Sequence, residues 1–497
     1  MAVFVDQTGT LVKALITIVV LQVVGKAIYN VFFHPLRAFP GPVSHAMSPI
    51  PYCYRLLRGR LPFDMLALHE RYGDVVRIAP GELAFAHADA WKDIHGHQPN
   101  GGEECGKWMS FYKYADGTPT SIANAEREEH GILRRQLSHG FSERSMRAQE
   151  PLITQYVDLL IQRLHEKCGD GTKPLDMVSW YNFTTFDIIG DLAFGKPFGS
   201  LENSVYHPFI PLLLESAKMG TLMLSLSFYP LLKKIFLAMV PKSVVKAFQD
   251  HRDVSVAKLR ERMQAGNERD DLIEGLLRKQ DELDLNMDRL EANGTILLIG
   301  GSETTATLLS GITYLLLQNP EVLARLTKEV RSSFQSEEEI TMDSVNSLSY
   351  LLACLNEALR SYPPIPIGLP RVVPKSGRQI LGQYVAADTI VAIHHWATYH
   401  NKKYFTDPFG FHPERFLGDE RFANDKFDIL QPFNFGPRNC LGRNLAYAEM
   451  RLILTRLIYN FDLKLADDSV GWMERQNIFF LWNKPPLHVF LTPVKRS

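Results

Sequence analysis

The sequence predicts a mostly α-helical body with a small β component, preceded by a single N-terminal transmembrane helix. Three observations predict it. Helical patterns dominate from Ala125 to about Tyr362 and return from Leu441 to Phe461. Leu11–Phe33 is almost wholly apolar. Between that stretch and the body, Pro35, Pro40, Pro42, Pro49 and Pro51 fall within 17 residues. Proline fixes φ and removes a backbone donor, so this segment reads as a stiff, extended connector.

The charge-free run Ala14–Gly25 has 12 residues. That is about 18 Å of helix against a hydrocarbon core of about 30 Å. Lys13 and Lys26 flank it, and lysine stems reach toward headgroups, so roughly Leu11–Val31 can span. A secretory signal needs a basic region ahead of the apolar run. Met1–Thr10 carries only Asp6 as a charge, and no small-x-small cleavage site follows. The basic residues Lys26, Arg37, Arg55, Arg58 and Arg60 lie downstream, which puts the bulk of the chain on the cytoplasmic side. A buried core helix is the plain alternative. The expected organisation is an anchor at 1–33, a hinge at 34–51 and a body at 52–497.

The body follows in order. Leu61–Tyr72 predicts a helix, and Val75–Ile78 with Leu83–Ala86 two short strands around Pro80-Gly81. Pro99–Thr120, rich in Gly, polar and aromatic residues, predicts a long loop. Asp288-x-x-Glu291 resembles a capping pair opening an apolar helix to Leu317. Asn319-Pro320 predicts the start of the next helix. Leu348–Ser361 predicts a helix that stops at Pro363-Pro364. Val372–Ile393 predicts strands with turns at Lys375-Ser376-Gly377 and Ala387-Asp388. The 497 residues are 45% hydrophobic, which supports a large core and excludes wholesale disorder. Length alone suggests about three domains. No repeat, long linker or low-complexity tract divides the chain, so one body is expected. A net charge of −1 argues against a dedicated nucleic-acid binder. Cys53, Cys105, Cys168, Cys354 and Cys440 are scattered without zinc or disulfide spacing, which fits a reducing compartment.

The sharpest segment runs from Phe433 through Gly436, Arg438 and Cys440 to Gly442. Cys440 ends a Gly/Pro/Asn loop and opens a helix, where unpaired N–H groups and the helix dipole favour thiolate. Gly436 and Gly442 permit close approach of a flat cofactor. Arg438 offers a cation for a carboxylate. Such a thiolate is a soft ligand for iron. An ordinary buried cysteine and a cysteine nucleophile are the alternatives from the residues alone.

The pattern FxxGxRxCxG resembles the haem-binding signature of the cytochrome P450 family, at Phe433, Gly436, Arg438, Cys440 and Gly442. The resemblance implies that Cys440 is the axial thiolate of haem b, with O2 as co-substrate. Glu357-x-x-Arg360, the one such spacing in the chain, resembles the family's ExxR. Arg415 in Pro413-Glu414-Arg415-Phe416 would complete a structural Glu–Arg–Arg brace. A surface ion pair is the plain alternative. Gly300-Gly301-Ser302-Glu303-Thr304-Thr305 interrupts the apolar helix and resembles the family's oxygen-binding groove, with Glu303 and Thr304 managing protons; a satisfied helix kink is its alternative. His130 and Arg134 stand where the family has WxxxR, with histidine in the tryptophan's place. With Arg371 and Arg438 they would hold the haem propionates.

The stretch from Phe33-His34-Pro35-Leu36 to Pro42 resembles fungal microsomal members that oxidise secondary metabolites. That implies a single-pass protein of the endoplasmic reticulum membrane, facing the cytoplasm. No GxGxxG or flavin segment is present, so electrons from NADPH would come through a separate flavoprotein reductase docking near Arg127, Arg135 and Arg443. Pocket walls are expected from Phe111, Tyr114, Leu297, Gly300, Gly301, Ile367 to Leu369, Phe479 and Phe480, which suits an apolar small molecule. The expected reaction inserts one oxygen atom. Desaturation, oxidative coupling, ring rearrangement or a haem carrier without turnover are the rivals.

Overall fold

The computed structural model describes residues 2–98, 102–113, 117–207, 209–264 and 271–495. It is 60% helical with 9% strand, the class that the sequence predicts. Ala2–Phe32 forms one helix. Its Lys13–Phe32 stretch has a mean hydropathy of 1.9 and is 6% buried, long and apolar enough to cross a membrane. A buried core helix is therefore the wrong reading of it. The proline segment is not uniformly extended. It folds into three short pieces, Pro35–Ala38, Val43–Met47 and Ile50–Leu57, because proline is well suited to the first turn of a helix.

Leu61–Tyr72 is helical as expected. The strands Val75–Ala79 and Glu82–Phe85 belong to a five-stranded sheet with Ile390–Ile393, Arg371–Val372 and Gly106–Lys107, in that order. The expected loop at Pro99–Thr120 thus contributes an edge strand, followed by a turn of helix at Met109–Tyr112. Tyr114 lies outside the described residues.

The core is built around the long helix Met287–Gln318. From Thr305 to Leu316 every residue of it is buried. It packs on the helices Met177–Phe194, Ser349–Ser361 and Arg443–Asn460. Tyr181 and Thr313 share a hydrogen bond of 2.7 Å across the first of these contacts. The expected interruption at Gly300-Gly301 is absent, and the helix runs through both glycines. A Cβ on Gly301 would collide with Ile189, so the small residue serves close helix packing rather than a kink. The helix is capped by Asn286, whose side chain accepts from the Arg289 N–H at 3.0 Å, not by the Asp288/Glu291 pair.

Candidate active site

Cys440 sits at the end of a closed loop. Its backbone N–H donates to the Phe433 carbonyl at 2.8 Å. Asn434 and Gly436 take positive φ, and a Cβ on Gly436 would collide with the His95 carbonyl, so only glycine fits there. Gly442 is under no such constraint within the chain: a Cβ there meets Phe141 at an ordinary 3.5 Å. The glycine that the fold needs therefore packs on protein rather than on a cofactor. Phe433 is half-buried against Tyr447, with ring centroids 5.3 Å apart. The Cys440 side chain is exposed, while Cys53, Cys105, Cys168 and Cys354 are buried. Although Cys440 is exposed by surface area, its sulfur lies deep among protein atoms, and that loss of hydration raises its thiol pKa. The Gly442 backbone hydrogen bond and the Arg134 and Arg443 charges pull it down without prevailing. The expected thiolate is thus not secured by the helix terminus alone.

The segment before the loop is held by the brace. Glu357 receives Arg360 through two bonds, Nε at 2.8 Å and Nη2 at 2.7 Å. Arg415 Nε lies 3.3 Å from Glu357, and all three side chains are fully buried. A fourth member, Asp425, pairs with Arg415 and brings the cluster to charge neutrality. Arg360 also donates to the Tyr399 carbonyl at 3.0 Å, and the Tyr399 hydroxyl accepts from the Gln431 N–H at 3.0 Å, two residues before Phe433. This is a continuous path from the ion cluster to the cysteine loop.

Around a cavity of about 600 Å³ beside the loop stand His130, Arg134 and Arg438. Arg134 donates to the Asn439 carbonyl at 2.7 Å and to its side-chain oxygen. Arg438 pairs with Glu104. The sheet adds Arg371 and, directly opposite it across a strand pair, Lys107. Like charges in that position repel. Burial, reinforced by Arg438 and Arg371, pushes the Lys107 ammonium down to about 6. Burial and the surrounding cations push His130 down to about 3, so it is neutral and offers a hydrogen bond rather than a charge. Arg371 is buried, and its Nη1 has no partner. Among the described residues, three guanidiniums thus face one acid, beside a lysine and a histidine that burial holds largely neutral. A dianion is what this cluster lacks, and the two carboxylates of a haem would supply that charge.

On the long helix, Gly300 is exposed and a Cβ there meets nothing within 4 Å. Thr304, one turn on, is partly accessible and donates to the Gly300 carbonyl at 2.6 Å. These two residues and half-buried Leu297 open a gap just ahead of the continuously buried stretch Thr305–Leu316. This helix also packs on the one that follows Cys440, where the Thr305 hydroxyl favours the charged form of buried Glu449. Glu303 does not stand free in the gap. It is buried, paired with Lys484, and accepts from Thr307 at 3.2 Å. Phe111 meets Phe480 at 4.9 Å, and both line a small cavity with Ile367, Gly368 and Pro370. Phe479 instead packs over Gly59, and half-buried Leu369 lies outside that cavity.

The cytochrome P450 family pattern matches residues 47–490. The chain belongs to the cytochrome P450 family. It is 51% identical over 485 residues to a cytochrome P450 monooxygenase of Talaromyces stipitatus, covering 97% of this chain and 95% of that protein. A monooxygenase of Penicillium brasilianum is 46% identical over 479 residues, 96% of this chain and 98% of its own length. The trichothecene C-15 hydroxylase of Fusarium sporotrichioides is 44% identical over 472 residues, 94% of this chain and 95% of its own. This P450 is therefore a haem-thiolate monooxygenase of the fungal secondary-metabolism type. Lys107, Glu104, Asp425 and Lys484 were not legible as parts of its site. Lys107 had one signal, its place in a Gly/aromatic loop.

Proposed function

We propose that this P450 inserts one oxygen atom from O2 into an apolar secondary metabolite, with NADPH electrons delivered by a separate flavoprotein reductase. The observation that carries the reading is the single exposed cysteine beside a cluster of buried and half-buried basic groups short of anions. Haem b would be held by Cys440 on its iron and by Arg134, Arg371, Arg438 and Lys107 at its propionates, with His130 as a neutral donor. Bound there, the group supplies the redox chemistry that activates O2. The chain's residues do the rest. Phe111, Phe480, Ile367 and Leu297 keep water out and offer apolar walls. Gly300 leaves space beside the helix. Thr304 holds a hydroxyl proton at Oγ1, and Glu303 stands one residue before it. Arg127, Arg135 and Arg443 are all exposed, which supports a basic face for the reductase. The hydroxylase name of a relative favours oxygen insertion over coupling or rearrangement. The protein would sit in the endoplasmic reticulum membrane through residues 1–33, with the body facing the cytoplasm.

Thr304→Ala tests this reading. It should keep haem and electron uptake, and divert consumed NADPH from product to hydrogen peroxide. Candidate metabolites are first screened by the Soret shift that follows water displacement. Proton transfer by a positioned group is worth about 10²–10⁴-fold, so the ratio of product to NADPH should fall by at least about tenfold. An unchanged ratio rejects the role of Thr304 and raises the rival non-oxygenating chemistries.

A second outcome concerns the membrane. A chain starting at Phe39 should lose most membrane association and still bind haem. Residual attachment is expected through the exposed Leu231, Leu232, Ile235 and Met239 on the helix Pro230–Met239. Carbonate-resistant insertion of that shortened chain would refute the single anchor.

A further inference from the structure

Lys484 carries an ammonium into the protein interior. It follows the hairpin Asn477–Phe479/Leu481–Asn483, and its neighbour Asn483 is exposed. Its side chain turns inward, 3% exposed, and pairs with Glu303, which is 4% exposed. The same ammonium donates to Thr307 Oγ1 at 2.7 Å. The hairpin cannot drift from this position. Trp482 donates to the Pro363 carbonyl at 2.7 Å and stacks on Tyr362 with centroids 4.3 Å apart. Taking both ions out of water costs several kcal/mol each, and apolar residues of the same volume usually serve stability as well or better. Stability is thus a poor reason for a buried ion pair next to Thr304.

We propose that Lys484 is a positioning residue for the distal acid: it keeps Glu303 ionised and pinned inside the core. This rests on the monooxygenase reading above. An ionised carboxylate can accept a proton; a neutral one cannot. The ammonium supplies the only counter-charge that Glu303 has among the described residues. Without it, desolvation would push the acid to its neutral form.

The experiment is infrared spectroscopy of the resting, full-length protein near neutral pH, in water and in deuterium oxide. Lys484→Met should gain a carboxylic-acid carbonyl band that shifts on deuteration. That band should vanish in the double variant Lys484→Met/Glu303→Gln. Lys484→Arg should remove it again. Lys484→Gln, which keeps a hydrogen bond without the charge, should show the band even if the methionine variant folds poorly. In parallel, NADPH oxidation with reductase should slow at least about tenfold in the methionine variant and acquire a new pH dependence, with recovery in the arginine variant. Absence of the band in both neutral variants overturns the proposal. So does a band that survives Glu303→Gln, or equal loss in the arginine variant. The infrared result needs no turnover, so it stands or falls separately from a failure to find an oxygenated product.

Discussion

Cys440→Ala is expected to give a protein that folds yet lacks the red-shifted Soret band of a reduced carbon-monoxide complex. The side chain is exposed at its loop, so its truncation removes few contacts, and an isolated exposed substitution changes stability within about 0.5 kcal/mol. The loop does not depend on the sulfur for its shape. Its closure is the backbone bond from Cys440 to Phe433, and its turn is the glycine-only conformation at Gly436. The other four thiols are buried and cannot take the place of the missing one. Arg134, Arg371, Arg438 and Lys107 remain, so some haem can still be retained through its carboxylates. Haem content and the carbon-monoxide spectrum are therefore measured together. A normal red-shifted band in this variant would mean that another residue ligates iron, and the assignment of Cys440 would fall.

Glu357→Ala is expected to be the most damaging single change outside the cysteine. The carboxylate accepts two bonds from Arg360, lies 3.3 Å from Arg415, and accepts the His412 N–H at 3.0 Å. Removing it leaves two guanidiniums in the core with Asp425 as the one acid still ion-paired to them among the described residues. Breaking one partner from a buried ion cluster costs about 3–5 kcal/mol. That is a large share of the roughly 5–15 kcal/mol that holds a domain together. The loss is passed on through Tyr399 to Gln431 and the cysteine loop. Little haem-loaded protein should accumulate. Asp425→Ala should act in the same direction, because it strips Arg415 of its second acid. The check is holoprotein yield and thermal midpoint against the wild type. Wild-type yield of a stable Glu357→Ala holoprotein would show that the cluster is dispensable.

The motifs that sequence reading reached share one property: the residues within each motif lie within a few positions of one another. Glu357 and Arg360 are one helical turn apart, and Phe433 to Gly442 is one loop. Helix ends were legible where proline or glycine sets the backbone, as at Tyr362 before Pro363-Pro364 and at Leu61–Tyr72, which ends at Gly73 with a φ of 92°. The misreadings have equally local causes. A pair of glycines in a helix looks like a break when the neighbouring helix that needs the space is invisible. Asp288 and Glu291 look like a cap when Asn286 two residues earlier does the work.

The sequence by itself determined that this chain is a P450: the cysteine loop, the Glu-x-x-Arg pair, the Gly-Gly-x-Glu-Thr-Thr stretch and the apolar N-terminal run are each short-range patterns. Only the tertiary structure decided how its charges are compensated. Glu303 and Lys484 are 181 positions apart, and Arg438 and Glu104 are 334 apart. Lys107 faces Arg371 only because an edge strand from a loop joins the sheet. Asp425 completes the brace from a segment with no motif of its own. The physical reason is that backbone geometry follows local sterics and hydrogen bonding, which neighbouring residues specify. Which ions meet in the core follows from how helices and sheets pack, and no period in the sequence encodes that.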